Sequence, residues 1–353
     1  MKKVLVLYGN VQVVVRDLLN SNFFVIRNIE KIDSFASKLN SSNIEKVVID
    51  IKDEGNLIEI FKKYDLVVNC LEYTFNQLIL DLCIKSGKNY VDLDDYNIKI
   101  SRSKDGLAKE SISVCLASAP IVNVLTKYAA KSMQKIDTIT ISFTDEIIDA
   151  PEEMLPFNFT TVVEEILDAL LFENKYLFTG SSRKIDDFCK VNKSCFLPKS
   201  YVTNHDEQFS LPEYLSEKIK NVYFIMKHSP SVIKLVKSLS KFFLDKENKI
   251  NIKVDITPFE VTNSLMSKHA PQNYYVQDKE SLFIKLDEKV VKIDNNSVDI
   301  PAVMNTICSL IAQYFINNTT TPVFHPEEFV DDLWFIDELK KRNFKIYIDN
   351  KEI

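Results

Sequence analysis

Five short runs, "KVLVL", "FFVI", "KVVID", "DLVVNCL" and "NYVDL", fall within residues 3–93 and are dominated by Val, Ile and Leu. A strand with one wet face alternates polar with apolar residues. These runs do not, so they read as strands covered on both faces, as in a parallel sheet. Between the third and fourth lies "EGNLIEIFKKY", a helix with Asn56 as its expected cap and Leu57, Ile60 and Phe61 on one face. After the fourth comes "TFNQLILDLCIKSG", with Phe75, Leu78, Ile79 and Leu82 at helical spacing and Gly87 placed to end the helix. Repeated βα units with short connections predict an α/β, Rossmann-like, doubly wound parallel sheet, because right-handed crossovers leave few other topologies.

The period then changes. "DTITISF" places Ile139, Ile141 and Phe143 on one side, and "KINIKVDITPFEV" alternates Ile250, Ile252, Val254 and Ile256 with Asn251, Lys253 and Asp255. Such alternation predicts a second, α+β domain with an open, largely antiparallel sheet. Its helices include "TTVVEEILDALLF", with Thr161 and Glu164 spaced as a capping box, and "SPSVIKLVKSLSKFFL", with Ser229 as cap and Pro230 at the first helical position. The expected division is a Rossmann-like domain over residues 1–119 and a second domain over 120–319. The segment 320–353, an amphipathic helix and a short strand, fits either one.

A chain of 353 residues suits two cores. Its net charge of -6 and scattered basic residues exclude a nucleic-acid-binding surface. The start imitates a signal peptide, but Asn10 and Gln12 interrupt the apolar run, and Arg16 and Asp17 stand where a cleavage site belongs. No apolar run is long enough to cross a bilayer, and a cytoplasmic location is expected. The six cysteines include no C-x-x-C pair, so they are expected as reduced thiols, Cys189 and Cys195 included. The four histidines lack any ligand spacing, and no metal is expected.

"DLVVNCLEYTFNQLILDLCIKSGKNYVDL" (residues 65–93) resembles the fourth strand, helix and fifth strand of the saccharopine dehydrogenase-like reductases, a family that includes saccharopine, lysine and carboxynorspermidine dehydrogenases. "CLASAPIVNVLTKYAA" is similar to its D-P-G-x-x-N segment, and "FIMKHSP" to an L-R-Y-P-G-H-like turn. "VDIPAVMNTICSLIAQYF" stands where T-G-x-P opens a helix, and "PVFHPEEFVDDL" resembles a near-terminal P-E segment. The resemblance implies a Rossmann domain, a substrate domain that often pairs two subunits, and hydride transfer between NADP or NAD and a carbon–nitrogen bond of an amino-acid-derived substrate.

The departures from the family fall on its glycines. The three of the first turn align with Tyr8, Asn10 and Val13, and Gly9 occupies a position that needs none. Ile26 stands where an acidic residue holds the ribose. Only five glycines occur in the chain, against about 7% on average, so glycine is depleted everywhere. Tyr8, Gly9, Asn10 and Val11 form the expected cofactor turn. Arg27 either selects a 2′-phosphate or is a solvated surface residue. Asn69, with Leu71 beyond it, faces the cofactor or caps the next helix, and Asp50 borders the adenine pocket or shapes a turn. Asp92 and Asp94 either orient substrate or form a turn, and Lys227 stands in for a carboxylate-binding arginine, without its two parallel bonds. Asn123, Asn158 and Thr160 match polar positions of the family's substrate cleft. Two functions remain open: an NAD(P)-dependent oxidoreductase, or a relative that has lost cofactor use and acts as a binding or assembly module. A homodimer joined through the second domain is expected in either case.

Overall fold

The computed structural model describes residues 2–7, 24–28, 44–47, 49–71, 75–92, 113–116, 120–144, 175–178, 181–184, 200–203, 207–227, 261, 281–295, 300–318 and 325–353. They fall into two compact units. The first comprises Met1–Tyr128 and Asp299–Arg342, the second Ala129–Val298 and Asn343–Ile353.

The first unit is built on six parallel strands: β1 (Lys3–Leu7), β2 (Phe24–Asn28), β3 (Ile44–Val47), β4 (Leu66–Asn69), β5 (Asn89–Asp92) and β6 (Val114–Leu116). Their order is β3-β2-β1-β4-β5-β6, the doubly wound order of dinucleotide-binding sheets. The absence of alternation in the sequence has its cause here. Leu5, Leu7, Val67, Tyr90 and Val114 share a core with Leu57, Ile60 and Phe61 of α1 (Glu54–Phe61) and Ile79, Leu80 and Leu82 of α2 (Asn76–Ser86). Val4, Val6, Leu66 and Val68 point the other way and are equally buried. Each such side chain removed from water contributes about 1.5–3 kcal/mol.

The helix boundaries follow local chemistry. Asp53, not Asn56, caps α1: its carboxylate accepts from the Asn56 N–H at 3.1 Å, so Asn56 sits in the first turn as a donor. Gly87 ends α2 in the left-handed conformation, φ 66°, as its placement predicts. Three further helices belong wholly to this unit: α5 (Ile300–Asn318), α6 (Pro326–Phe329) and α7 (Asp332–Lys341), while α3 (Pro120–Ala130) ends at its boundary. Tyr314 of α5 packs on Trp334 of α7 with ring centroids 4.7 Å apart, and Phe315 meets Phe329 edge-on at 5.3 Å.

The second unit holds α4 (Glu207–Leu215) and a seven-stranded sheet of order β10-β11-β7-β12-β13-β14-β15. Its strands are β7 (Ile136–Thr144), β10 (Ser200–Thr203), β11 (Ile219–Lys227), β12 (Ser281–Leu286), β13 (Lys289–Asn295), β14 (Phe344–Ile348) and β15 (Lys351–Glu352). Only β7 and β11 pair in parallel; the other pairs are antiparallel, so the sheet is mixed and largely antiparallel as expected. A separate hairpin joins β8 (Lys175–Phe178) to β9 (Ser181–Lys184). The segment left open by the sequence divides: helix α7 belongs to the first unit and strand β14 to the second sheet.

Two aspartate turns lock this sheet. Asp287, with φ 50°, accepts from the Asp137 and Thr138 N–H groups at 3.0 and 2.9 Å, tying the β12–β13 turn to the start of β7. Asp349 and Asn350, both at positive φ, form the two-residue turn of the β14–β15 hairpin, and Asp349 accepts from Val290 N–H at 2.9 Å. The expected strand 249–261, apart from Val261, and the expected helices at 160–172 and 229–244 lie outside the described residues. Among the described residues no helix is long and apolar enough to cross a membrane, and no group of three or more His, Cys, Asp or Glu side chains is placed to hold a metal ion.

Candidate functional site

In a doubly wound sheet the chain leaves neighbouring strands toward opposite faces where the order reverses, and a crevice opens at their carboxyl ends. Here that point lies between β1 and β4. Leu7, the last residue of β1, is level with Asn69, the last of β4, and Asn69 is level with Asp92, the last of β5. The register therefore brings two of the expected site residues side by side at the crevice floor.

Both are buried, Asn69 at 0% and Asp92 at 2% exposure, and a polar cluster accounts for their stability there. The Asn69 Nδ2 lies 2.9 Å from Asn76 Oδ1, 3.1 Å from the Tyr90 hydroxyl and 3.1 Å from Asp92 Oδ2. Tyr90 donates its hydroxyl proton to the same Asp92 oxygen. One amide with two hydrogens thus serves three acceptors, so at least one bond is shared. Burial, followed by the charge of Asp92, pushes the Tyr90 phenol well above its ordinary value, which keeps it a donor. The same two causes raise the thiol of Cys83 on α2.

Asn69 has a second task. Its Oδ1 accepts from Leu71 N–H at 3.3 Å, a local turn just beyond the strand. The cluster fixes the ends of β4 and β5 relative to each other and to the first turn of α2, and the backbone at Cys70 and Leu71 is held at the crevice by it. Tyr90 and Asn76 were not among the expected site residues. Tyr90 carried a signal, since residues two apart on a strand share a face and Tyr90 therefore accompanies Asp92. Asn76 carried a weaker one, an amide at a buried position of an otherwise apolar helix face.

The remaining candidates separate. Asp50 is exposed; its carboxylate accepts from Lys52 N–H at 2.9 Å and its carbonyl from Asp53 N–H at 3.1 Å, the bonding of a turn. Arg27 lies in β2, level with Val6. Asn123, on α3, is buried and donates its amide to Glu327 of α6 at 2.7 Å, while Lys127 one turn on donates to the Val330 carbonyl at 2.8 Å. Glu327, wholly buried in the "PEEF" segment, was not singled out by sequence reasoning. Lys227 closes β11 in the second unit. Tyr8, Gly9, Asn10, Val11, Asp94, Asn158 and Thr160 lie outside the described residues.

For a dinucleotide the described residues fit in the strand order, in the crevice at the β1–β4 reversal and in a satisfied polar floor beneath it. Asn69 and Leu71 would border the cofactor from β4, and Arg27 would lie toward its ribose end.

Comparison with known proteins agrees. Residues 9–116 match the family model of the saccharopine dehydrogenase NADP binding domain. Two solved structures resemble the chain over nearly its whole length. The apo form of the L-Glu-forming saccharopine dehydrogenase of Saccharomyces cerevisiae superposes with a TM-score of 0.62 at 13% identity, over 99% of this chain and 100% of that one. The homospermidine synthase of Legionella pneumophila, in complex with NAD, superposes with a TM-score of 0.58 at 13% identity, over 99% and 91%. At such identity the superpositions speak for the fold, and the family model speaks for the first domain. Residues 9–116 are therefore similar to the saccharopine dehydrogenase NADP binding domain, and the fold of the chain is similar to that of these two enzymes.

Proposed function

We propose that the chain is an NAD(P)-dependent oxidoreductase acting on a carbon–nitrogen bond of an amino-acid-derived substrate. The observation that carries this reading is the β3-β2-β1-β4-β5-β6 parallel order with Asn69 and Asp92 aligned at its reversal point. A bound nicotinamide supplies or accepts the hydride. The chain's own part is to hold the cofactor along Asn69 and Leu71, with Arg27 toward a 2′-phosphate and Asp50 near the adenine. By the family resemblance alone, Asn123, Asn158, Thr160 and Lys227 are the substrate-binding candidates, and Asp92 and Asp94 the candidates for orienting the substrate. Asp92 acts from a fixed position, because Tyr90 and Asn69 hold it. A homodimer joined through the second unit belongs to the same reading, and sedimentation as a monomer at tens of micromolar would remove it.

The glycine pattern favours a second reading, a relative that keeps the fold as a binding or assembly module. A phosphate-binding turn needs one glycine for the bend, one for backbone approach to the pyrophosphate and one for helix packing. Tyr8, Asn10 and Val13 stand at all three. Losing two charge-assisted N–H bonds at about 1.5–3 kcal/mol each lowers affinity by roughly two to four orders of magnitude. Equilibrium binding of NADPH and NADH separates the readings. Micromolar binding by the wild type supports the oxidoreductase, with NADPH favoured if Arg27 reads the 2′-phosphate. Binding gained only in the folded triple variant Tyr8→Gly, Asn10→Gly, Val13→Gly supports the module.

A further inference from the structure

The polar cluster at the ends of β4 and β5 does more than satisfy buried groups: it fixes which way round the Asn69 amide stands. The amide nitrogen faces Asn76 Oδ1 at 2.9 Å and Asp92 Oδ2 at 3.1 Å. An amide oxygen in that place would meet two oxygens with no hydrogen to share, so the nitrogen points into the cluster. The amide oxygen is thereby turned to the Leu71 N–H, from which it accepts at 3.3 Å. Tyr90 completes the arrangement. Its hydroxyl gives its one proton to Asp92 and so presents a lone pair to Asn69 Nδ2, 3.1 Å away.

The cluster also joins separate elements. Asn69 is the last residue of β4, Asn76 the first of α2, and Tyr90 lies within β5. The Asn69–Asn76 bond therefore clamps the two ends of the β4–α2 connection together, and Tyr90 and Asp92 lock that clamp to the neighbouring strand. All four side chains are at most 2% exposed, which keeps these bonds in a medium of low dielectric. In a doubly wound sheet the first βα turn holds the pyrophosphate, and the end of the second strand holds the adenosine ribose. The adenosine half of a dinucleotide thus belongs over β2 and β3, and the nicotinamide half over β4 and β5. The connection that leaves β4 borders the nicotinamide half.

We propose that Asn76 and Tyr90 are positioning residues for dinucleotide binding. They fix the Asn69 amide and, through its bond to the Leu71 N–H, set the start of the β4–α2 connection against the nicotinamide half. This inference rests on the reading that the crevice holds NADP or NAD. Buried as they are, both side chains act through Asn69 and not on the cofactor itself. Their removal strips different parts of the clamp. Tyr90→Phe takes away the hydroxyl that holds Asp92 and supports Asn69. Asn76→Leu takes away the acceptor that ties Asn69 to α2. Either change loosens the Leu71 turn and leaves β2 and β3, on the adenosine side, as they were.

The test is calorimetric titration of the folded full-length protein with the whole cofactor and with its adenosine fragment: NADPH beside adenosine 2′,5′-bisphosphate, and NADH beside adenosine diphosphate. Each variant should bind the whole cofactor about tenfold more weakly and the fragment within about twofold of the wild type. In the wild type, amide hydrogen exchange at Leu71 should slow by about tenfold with the whole cofactor and stay unchanged with the fragment. A merely structural loosening weakens both ligands alike, and that result overturns the proposal. So does an unchanged cofactor affinity in either folded variant, or a Leu71 exchange rate that the whole cofactor leaves unaltered. The wild-type exchange decides the matter if neither variant folds. Failure of the wild type to bind NADPH or NADH is a distinct outcome, which removes the oxidoreductase reading and this inference with it.

Discussion

Replacing Tyr90 with Phe removes one hydroxyl from the centre of the buried cluster and leaves the ring in its core. The hydroxyl donates to the Asp92 carboxylate and lies 3.1 Å from Asn69 Nδ2. A hydrogen bond to a charged group contributes about 1.5–3 kcal/mol, and Asp92 keeps the Asn69 amide at 3.1 Å. The expected loss is therefore about 2 kcal/mol at pH 7, near the low end for breaking a buried charged network. The assay is urea unfolding followed by the fluorescence of Trp334. It is the sole tryptophan, lies in the first unit and packs on Tyr314, so it reports that unit. At an m-value of about 2 kcal/mol/M the midpoint should fall by about 1 M.

The pH dependence gives a sharper signature. The folded phenol is raised above its ordinary value of about 10 by burial and by Asp92. Below that pH both folded and unfolded chains keep the proton, and Tyr90 adds no slope. Above it the unfolded chain loses the proton first, so wild-type stability falls by about 1.4 kcal/mol per pH unit until the folded phenol also titrates. The Tyr90→Phe variant has no phenol at this position and no such slope, so the gap between the two proteins should close as pH rises past about 10. The raised thiols of Cys83 and Cys308 act alike in both proteins and cancel. A loss under about 0.5 kcal/mol at pH 7, or a gap that stays constant between about pH 9 and 11, would refute the phenol–carboxylate bond.

Three further outcomes follow from single contacts. Asn123→Leu should cost about 3 kcal/mol, because it strips the 2.7 Å donor from the buried Glu327; adding Glu327→Gln should recover at least about 1 kcal/mol in the same fluorescence assay. Asp287→Ala should release the start of β7, raising amide hydrogen exchange at Asp137 and Thr138 by about tenfold, as expected of about 1.4 kcal/mol lost locally. Gly87→Ala should cost about 1 kcal/mol in unfolding, and Gly87→Asn less, since a new Cβ meets nothing within 4 Å and the penalty is the left-handed backbone alone.

The first sheet was legible because its strands are buried on both sides. Val4 to Leu7 and Leu66 to Asn69 leave no polar alternation to confuse the period, and the right-handed crossover rule supplies the topology. Gly87 was legible for a similar reason: one residue type satisfies one backbone requirement. Asn56 was misread as the α1 cap because Asp53 and Asn56 are both capping residues three positions apart, and only the geometry assigns one as acceptor and the other as donor. The second sheet was less legible. β7 alternates as an antiparallel strand does, yet pairs in parallel with β11 on one side and antiparallel with β12 on the other, a distinction that side-chain period does not encode.

The site divides along the same line. That Asn69 and Asp92 close adjacent strands side by side was legible because polar residues at the ends of apolar strands stand out. Their partners were not, because hydrogen-bond partners depend on distances between elements that no spacing records. The geometry also changes what the pair means. For Asn69 the sequence left open a cofactor contact or a cap, and the Leu71 bond is of the capping kind, but three further acceptors surround its amide nitrogen. A residue committed in this way cannot turn toward a ligand without leaving Asp92 short of a donor inside the core. The position of Asp92 is set by Tyr90 and Asn69 before any ligand arrives. Such a floor serves an oxidoreductase and a binding module equally well. The two readings therefore part company at the turn of Tyr8, Asn10 and Val13, where binding of NADPH is the quantity that distinguishes them.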